Sequence, residues 1–116
     1  MRIELKALYS GDINKPQLPD DPTRCMTAMY ADIGIQGEDG SDTFGFVVVT
    51  PLWLVAHPET QWARGYLLLN EFSWAEIERM VGRLVSSVSA TKWEEAAKSL
   101  GRFMDWEFEN YQPYRA

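Results

Sequence analysis

The sequence predicts an α+β domain: an antiparallel sheet of about four strands, followed by two C-terminal helices packed on one sheet face. Three observations carry this. Through the first two thirds of the 116 residues, apolar side chains alternate with polar ones or run in short blocks rich in Val, Ile, Phe and Tyr. Clusters of Gly, Pro, Asp and Ser separate these stretches. After Phe72 the period changes, and two apolar stripes recur at helical spacing. The length argues for a single domain, 1–116.

Each element follows in order. Ile3, Leu5, Ala7 and Tyr9 alternate with Arg2, Glu4 and Lys6, the pattern of a half-buried strand. Ser10 to Pro22 holds Gly11, Asp12, Asn14, Pro16, Pro19, Asp20 and Asp21, and reads as a long loop. A second strand runs from about Arg24 to Gln36, with Cys25, Met29, Ala31, Ile33 and Ile35 on one face and Thr27 interrupting it. The turn cluster Gly37–Asp42 predicts a hairpin into a third strand, Thr43–Thr50. Phe44–Val49 is apolar on both faces, so this strand is expected to be central and covered, at least in part, on both sides. Pro51 ends it, because proline has no N–H to give the ladder. Pro51–Ala56 reads as a short helical or irregular lid, His57–Thr60 as a turn, and Trp62–Leu69 as a fourth strand.

Ser73-Trp74-Ala75-Glu76 is a capping box, in which the Ser hydroxyl accepts from the N3 amide while the Glu reaches back to the cap amide. Trp74, Ile77, Met80, Val81, Leu84, Val85 and Val88 then form one stripe, ended by Ser86, Ser87 and Ser89. Thr91-Lys92-Trp93-Glu94 is a second capping box. Its stripe is Trp93, Ala96, Ala97, Leu100, Phe103, Met104 and Phe108, continued by Tyr111 and stopped by Pro113.

Composition narrows the function. Seventeen acidic against eleven basic residues leave a net charge of −6. That balance disfavours direct binding to nucleic acid, which runs on Lys and Arg neutralising phosphates, and suits a basic protein partner. The single cysteine, Cys25, cannot make an internal disulfide, which fits a reducing cytoplasm. No apolar leader is visible at Met1–Lys6, and the longest apolar runs are too short for a membrane span. One His and one Cys give no metal-ligand spacing, and no Gly-rich phosphate cradle is present, so no cofactor and no metal are expected.

Catalysis finds no constellation. His57, the one imidazole, sits in a turn without a nucleophile or orienting acid in its motif. Cys25 reads as a small buried hydrophobe. The loop acids Asp20, Asp21, Glu38, Asp39 and Asp42 are natural turn formers, and Glu94 makes an i,i+4 pair with Lys98. The aromatic fraction is 13%, with five Trp. Trp74, Trp93, Phe103 and Phe108 fall on the apolar stripes. Trp106 does not: on a helix its neighbours are Arg102, Ser99, Glu109 and Asn110. An exposed Trp beside Arg and acids has hot-spot composition, unless the tail Tyr111–Tyr114 folds back over it. Trp106, Asp105, Glu109 and Arg102 are therefore one candidate interaction patch, and Glu38, Asp39 and Asp42 a second.

The order of residues resembles a family. Ile3–Ser10 is followed by Asp12, Asp20-Asp21-Pro22 and Asp32-Ile33-Gly34. Then come Thr43-Phe44-Gly45-Phe46-Val47-Val48-Val49-Thr50-Pro51-Leu52-Trp53-Leu54 and Trp93 with Trp106-Glu107-Phe108-Glu109. This is similar to the immunity protein 8 family of bacterial polymorphic-toxin and contact-dependent inhibition systems. The resemblance implies a small cytoplasmic, non-enzymatic α+β protein that binds the C-terminal domain of a cognate toxin and blocks it. It also implies a gene lying directly downstream of the toxin gene. The acidic balance favours a nuclease as that toxin, since an acidic inhibitor is steered onto a basic cleft. The alternatives are an acidic adaptor or subunit with a non-toxin partner, and a small hydrolase using His57 with a loop carboxylate. The expected state is a monomer or weak homodimer, since Phe44–Val49 needs a partner if its sheet edge is open.

Overall fold

The computed structural model describes residues 1–109. Its elements are β1 (Ile3–Ser10), β2 (Met26–Ile35), β3 (Asp42–Val49), α1 (Pro51–Ala56), β4 (Tyr66–Leu68), α2 (Trp74–Ser87), α3 (Trp93–Leu100) and β5 (Asp105–Trp106). The sheet runs β1-β2-β3-β4, with β5 also pairing with β3. The β1–β2, β2–β3 and β3–β5 pairs are antiparallel. The fold is thus the expected α+β arrangement of a mostly antiparallel sheet with C-terminal helices. One pair departs from it. β3 and β4 are parallel, with Val47, Val48 and Val49 opposite Tyr66, Leu67 and Leu68. The chain crosses over through α1 and residues 57–65, and a parallel pair needs a connection of that length.

The core lies between one face of the sheet and the helices. Met29, Ala31 and Ile33 of β2 and Phe44, Phe46 and Val48 of β3 meet Ile77, Val81 and Val85 of α2 and Ala97 and Leu100 of α3. Thr27, the interruption on the apolar face of β2, is buried with them. α2 begins where Ser73 Oγ accepts from the Glu76 amide at 3.2 Å. The Glu76 carboxylate turns instead to Arg79, whose guanidinium holds it below its ordinary range. The long first loop is tied down: Trp74 Nε1 donates to the Gln17 carbonyl at 2.7 Å, and the Phe72 amide to the Pro22 carbonyl at 2.7 Å.

Several expectations are corrected. In β1 a bulge between Leu5 and Ala7 moves the inward positions by one, so Ile3, Leu5 and Leu8 pack on the core. Ala7 and Tyr9 consequently face out, Tyr9 being 41% exposed. β4 is three residues long rather than the span from Trp62. Gly65, at φ +85°, turns the chain just before Tyr66, a backbone conformation glycine takes without a Cβ clash.

The second C-terminal helix is also shorter than its stripe. α3 starts at Trp93 with Lys92 as its N-cap and no side-chain cap. Thr91 pairs with Glu95, not Glu94, through contacts of 3.3 Å. Glu94 does pair with Lys98, at 3.4 Å on an exposed surface. The helix stops at Leu100, where Gly101 donates to the Ala97 carbonyl at 2.9 Å. A turn through Met104 then sends the chain into β5, with Phe44 opposite Trp106 and Gly45 opposite Asp105. β4 covers only the Val47–Val49 end of β3, and β5 takes up the other end. The β3 edge is therefore paired on both sides. Asp105, Trp106 and Glu107 lie on or beside a strand rather than a helix. Phe103 and Phe108 are 57% and 43% exposed rather than core. Tyr111, Pro113 and Tyr114 lie outside the described residues.

Candidate functional site

Asp42 opens β3 at the end of the hairpin turn. Its Oδ2 accepts from Trp93 Nε1 at 2.7 Å and from Trp106 Nε1 at 2.9 Å. One carboxylate oxygen thus pins the first turn of α3 and β5 to the start of β3. The two candidate patches, far apart in sequence, meet at this oxygen. Trp106 is half-buried against the core rather than standing on an exposed helix face, so its expected exposure is corrected. The indole could not sit where helical spacing placed it, because the chain is extended there. Phe108 meets its ring edge-on at 6.1 Å.

Two clefts flank the junction. One, about 200 Å³, is lined by Glu38, Asp39, Asp42 and Trp93. The Glu38 carbonyl accepts from Lys6 Nζ, which closes the hairpin tip onto β1. The other, about 440 Å³, is lined by Lys98, Arg102, Trp106 and Glu109. Asp105 points elsewhere, to the sheet face away from the helices. There Arg64 donates through Nη2 to Asp105 Oδ1 at 2.8 Å and lies 3.8 Å from Glu109. Its Nη1 also donates to the carbonyls of Gly101 (2.9 Å) and Met104 (3.3 Å). Arg64 therefore holds the turn that leads into β5.

Sequence reasoning missed Arg64, whose partners are some forty residues away and carry no local signal. It also missed Trp62. Read as the first residue of a strand, Trp62 is 95% exposed, the most exposed of the large apolar side chains among the described residues. Glu107 enters the sequence reading only within the stretch Trp106-Glu107-Phe108-Glu109. Its Oε1 accepts from the Thr43 amide at 2.9 Å, and its own amide donates to the Thr43 carbonyl at 3.1 Å.

The hydrolase alternative rests on His57 with a loop carboxylate. His57 is exposed, stacks on Trp53 with ring centroids 4.1 Å apart, and has Nδ1 2.9 Å from the Trp53 carbonyl oxygen. It lines neither cleft. Among the described residues, no three His, Cys, Asp or Glu side chains are grouped to hold a metal ion. A further groove of about 330 Å³, between β4 and α2, has Arg83 as its one charged wall residue. Among the described residues no helix is long and apolar enough to cross a membrane.

Cys25 is buried, with Sγ 3.6 Å from the Pro22 carbonyl oxygen, and burial pushes its thiol pKa up. A thiolate is the reactive form. Native protein is therefore expected to resist a thiol-labelling reagent at neutral pH, and denatured protein to react fully. Rapid labelling of the native state would place the thiol at the surface instead.

Residues 3–111 match the family described as immunity protein 8. The chain belongs to the immunity protein 8 family. The match runs from β1 through β5 and takes in both clefts around Asp42. No curated protein and no solved structure matches the chain. An immunity protein, as the family name has it, acts against a toxin, so the family points to a protein partner and an inhibitor's role.

Proposed function

We propose that this immunity protein 8 member binds the C-terminal domain of a cognate toxin in the cytosol and neutralises it by direct blockade, without chemistry of its own. The family match over nearly the whole chain carries this reading. The joined acidic segments support it. The surface around Asp42 brings Glu38 and Asp39 on one side together with Arg102 and Glu109 on the other, with Asp105 turned to the neighbouring open sheet face. We assign Glu38, Asp39, Asp105, Glu109 and Arg102 as rim contacts, with Trp106 and Asp42 beneath them as the anchor of the surface. An interface of this kind buries roughly 1,200–2,000 Å² of total surface. With a net charge of −6, the favoured toxin is a nuclease with a basic cleft, whose phosphate path the acidic surface would occupy.

The test is co-expression with the toxin domain encoded immediately upstream, scored by growth rescue and by co-purification. Rescue with a co-purifying toxin is expected. Growth arrest despite full expression of this protein would overturn the reading, and an acidic toxin would overturn the charge argument. A second expectation concerns the rim. Asp39→Lys combined with Glu109→Lys is expected to slow association about tenfold or more at low salt, with a smaller effect at high salt. Stopped-flow mixing at two ionic strengths measures it.

A further inference from the structure

The helices cover one face of the sheet and leave the other open. On that open face lies a cleft of about 340 Å³. Its floor is Gly45 and Val47 of β3, and it is bordered by Tyr30 of β2 and by Asp105 and Glu107 at β5. Gly45 has no conformational reason to be glycine, since its φ is not positive. A Cβ there would make ordinary van der Waals contact with the Tyr30 ring, at 3.5 Å, so the ring borders the floor of the cleft. Tyr30 is steadied by stacking on Tyr9, with centroids 5.6 Å apart and planes at 30°.

Acids surround this ring. Asp32 Oδ1 accepts from the hydroxyls of Tyr9 (3.1 Å) and Thr43 (2.9 Å). Glu107 and Asp105 each have one oxygen engaged, by the Thr43 amide and by Arg64. Among the described residues, Glu107 Oε2 and Asp105 Oδ2 take no hydrogen bond. The negative field is felt locally. Burial first, then the hydrogen bond and charge of Asp32 and the charge of Glu107, raise the Tyr9 phenol above its ordinary range, against an opposing bond from Thr43. The cation closest to hand, Arg64, is already committed to Asp105 and to two backbone carbonyls.

We propose that this cleft receives an arginine side chain of the toxin, its guanidinium stacked on Tyr30 and its N–H groups on the free oxygens of Asp105 and Glu107. The proposal rests on the toxin-binding reading above and names the group that this face recognises. Charge complementarity selects a cation: Arg64 pairs with Asp105, and among the described residues no ion pair engages Asp32 or Glu107. Geometry selects arginine over lysine. A planar guanidinium stacks on an aromatic face and forks between two acceptors, whereas an ammonium is a compact point charge.

The test is affinity for the cognate toxin, with intact protein, measured by titration calorimetry. Gly45→Val plugs the floor with a residue that suits a strand. Glu107→Gln keeps an acceptor for the Thr43 amide and removes the charge. Gly45→Val is expected to weaken binding about 30-fold or more and Glu107→Gln about tenfold, with melting temperatures near that of the parent. A double-mutant cycle against single arginine and lysine replacements on the toxin then identifies the guest. Coupling of both variants to one toxin arginine supports the proposal. Parental binding that survives both variants within twofold overturns it, as does coupling to a lysine or to no cation. If the unaltered protein fails to bind its toxin, the parent reading falls and this one with it. Survival of binding in the variants overturns the cleft alone.

Discussion

Asp42→Ala is expected to destabilise the protein by about 2–4 kcal/mol, because it orphans two half-buried indole N–H groups at once. Each hydrogen bond to a charged acceptor contributes about 1.5–3 kcal/mol, and an unsatisfied buried donor costs about 1–3 kcal/mol. The two bonds share one oxygen, so their losses overlap and do not simply add. Asp42→Asn retains a side-chain carbonyl oxygen and is expected to lose less than half as much. Urea unfolding followed by circular dichroism gives the size. Tryptophan emission gives the signature, since freeing Trp93 and Trp106 from the junction shifts native emission to the red. A loss under about 0.5 kcal/mol, the range of an ordinary surface substitution, would show that the carboxylate does not hold the two elements together.

Phe44→Ala is expected to cost about 3–5 kcal/mol, the usual range for deleting a buried phenyl ring and leaving a cavity. Phe44 is fully buried, pairs across the ladder with Ala31 and Trp106, and meets Trp93 edge-on at 6.3 Å. Its loss empties the core directly beneath the Asp42 junction. Against a typical total of about 5–15 kcal/mol for a domain, this is a large fraction of stability. The urea midpoint is expected to fall with little change in slope, as for a change in stability alone. Toxin affinity measured well below that midpoint is expected to weaken as well, because Trp93 and Trp106 lose their support.

How far these features could be read from sequence depended on the range of the forces that set them. α2 was legible because Trp74, Ile77, Val81 and Val85 recur at helical spacing and Ser73 supplies a cap, all within one segment. β2 and β3 were legible by alternation and by the turn between them. β1 was legible only to Leu5, because a bulge shifts the inward set from Ala7 and Tyr9 to Leu8, and no residue type announces a bulge there. The stripe from Trp93 to Phe108 is compatible with one long helix. What ends it at Leu100 is Gly101 together with the unpaired end of β3, and the second of these is a long-range demand. That single event moved Trp106 from a surface to a junction and turned Asp105 and Glu107 onto the open sheet face. Of the candidate residues, the acids were legible as two segments. Their union through Asp42, the role of Arg64 and the exposure of Trp62 depend on contacts across the fold.

The central claim is that this chain inhibits its toxin by binding it. The most direct measurement titrates purified protein against the purified cognate toxin domain, following complex formation by size-exclusion chromatography with light scattering and, in parallel, residual toxin activity. A stoichiometric complex is expected at micromolar concentrations, with activity falling in step with the bound fraction. Activity that persists in the saturated complex, or growth protection in cells by a protein that forms no complex, would contradict it.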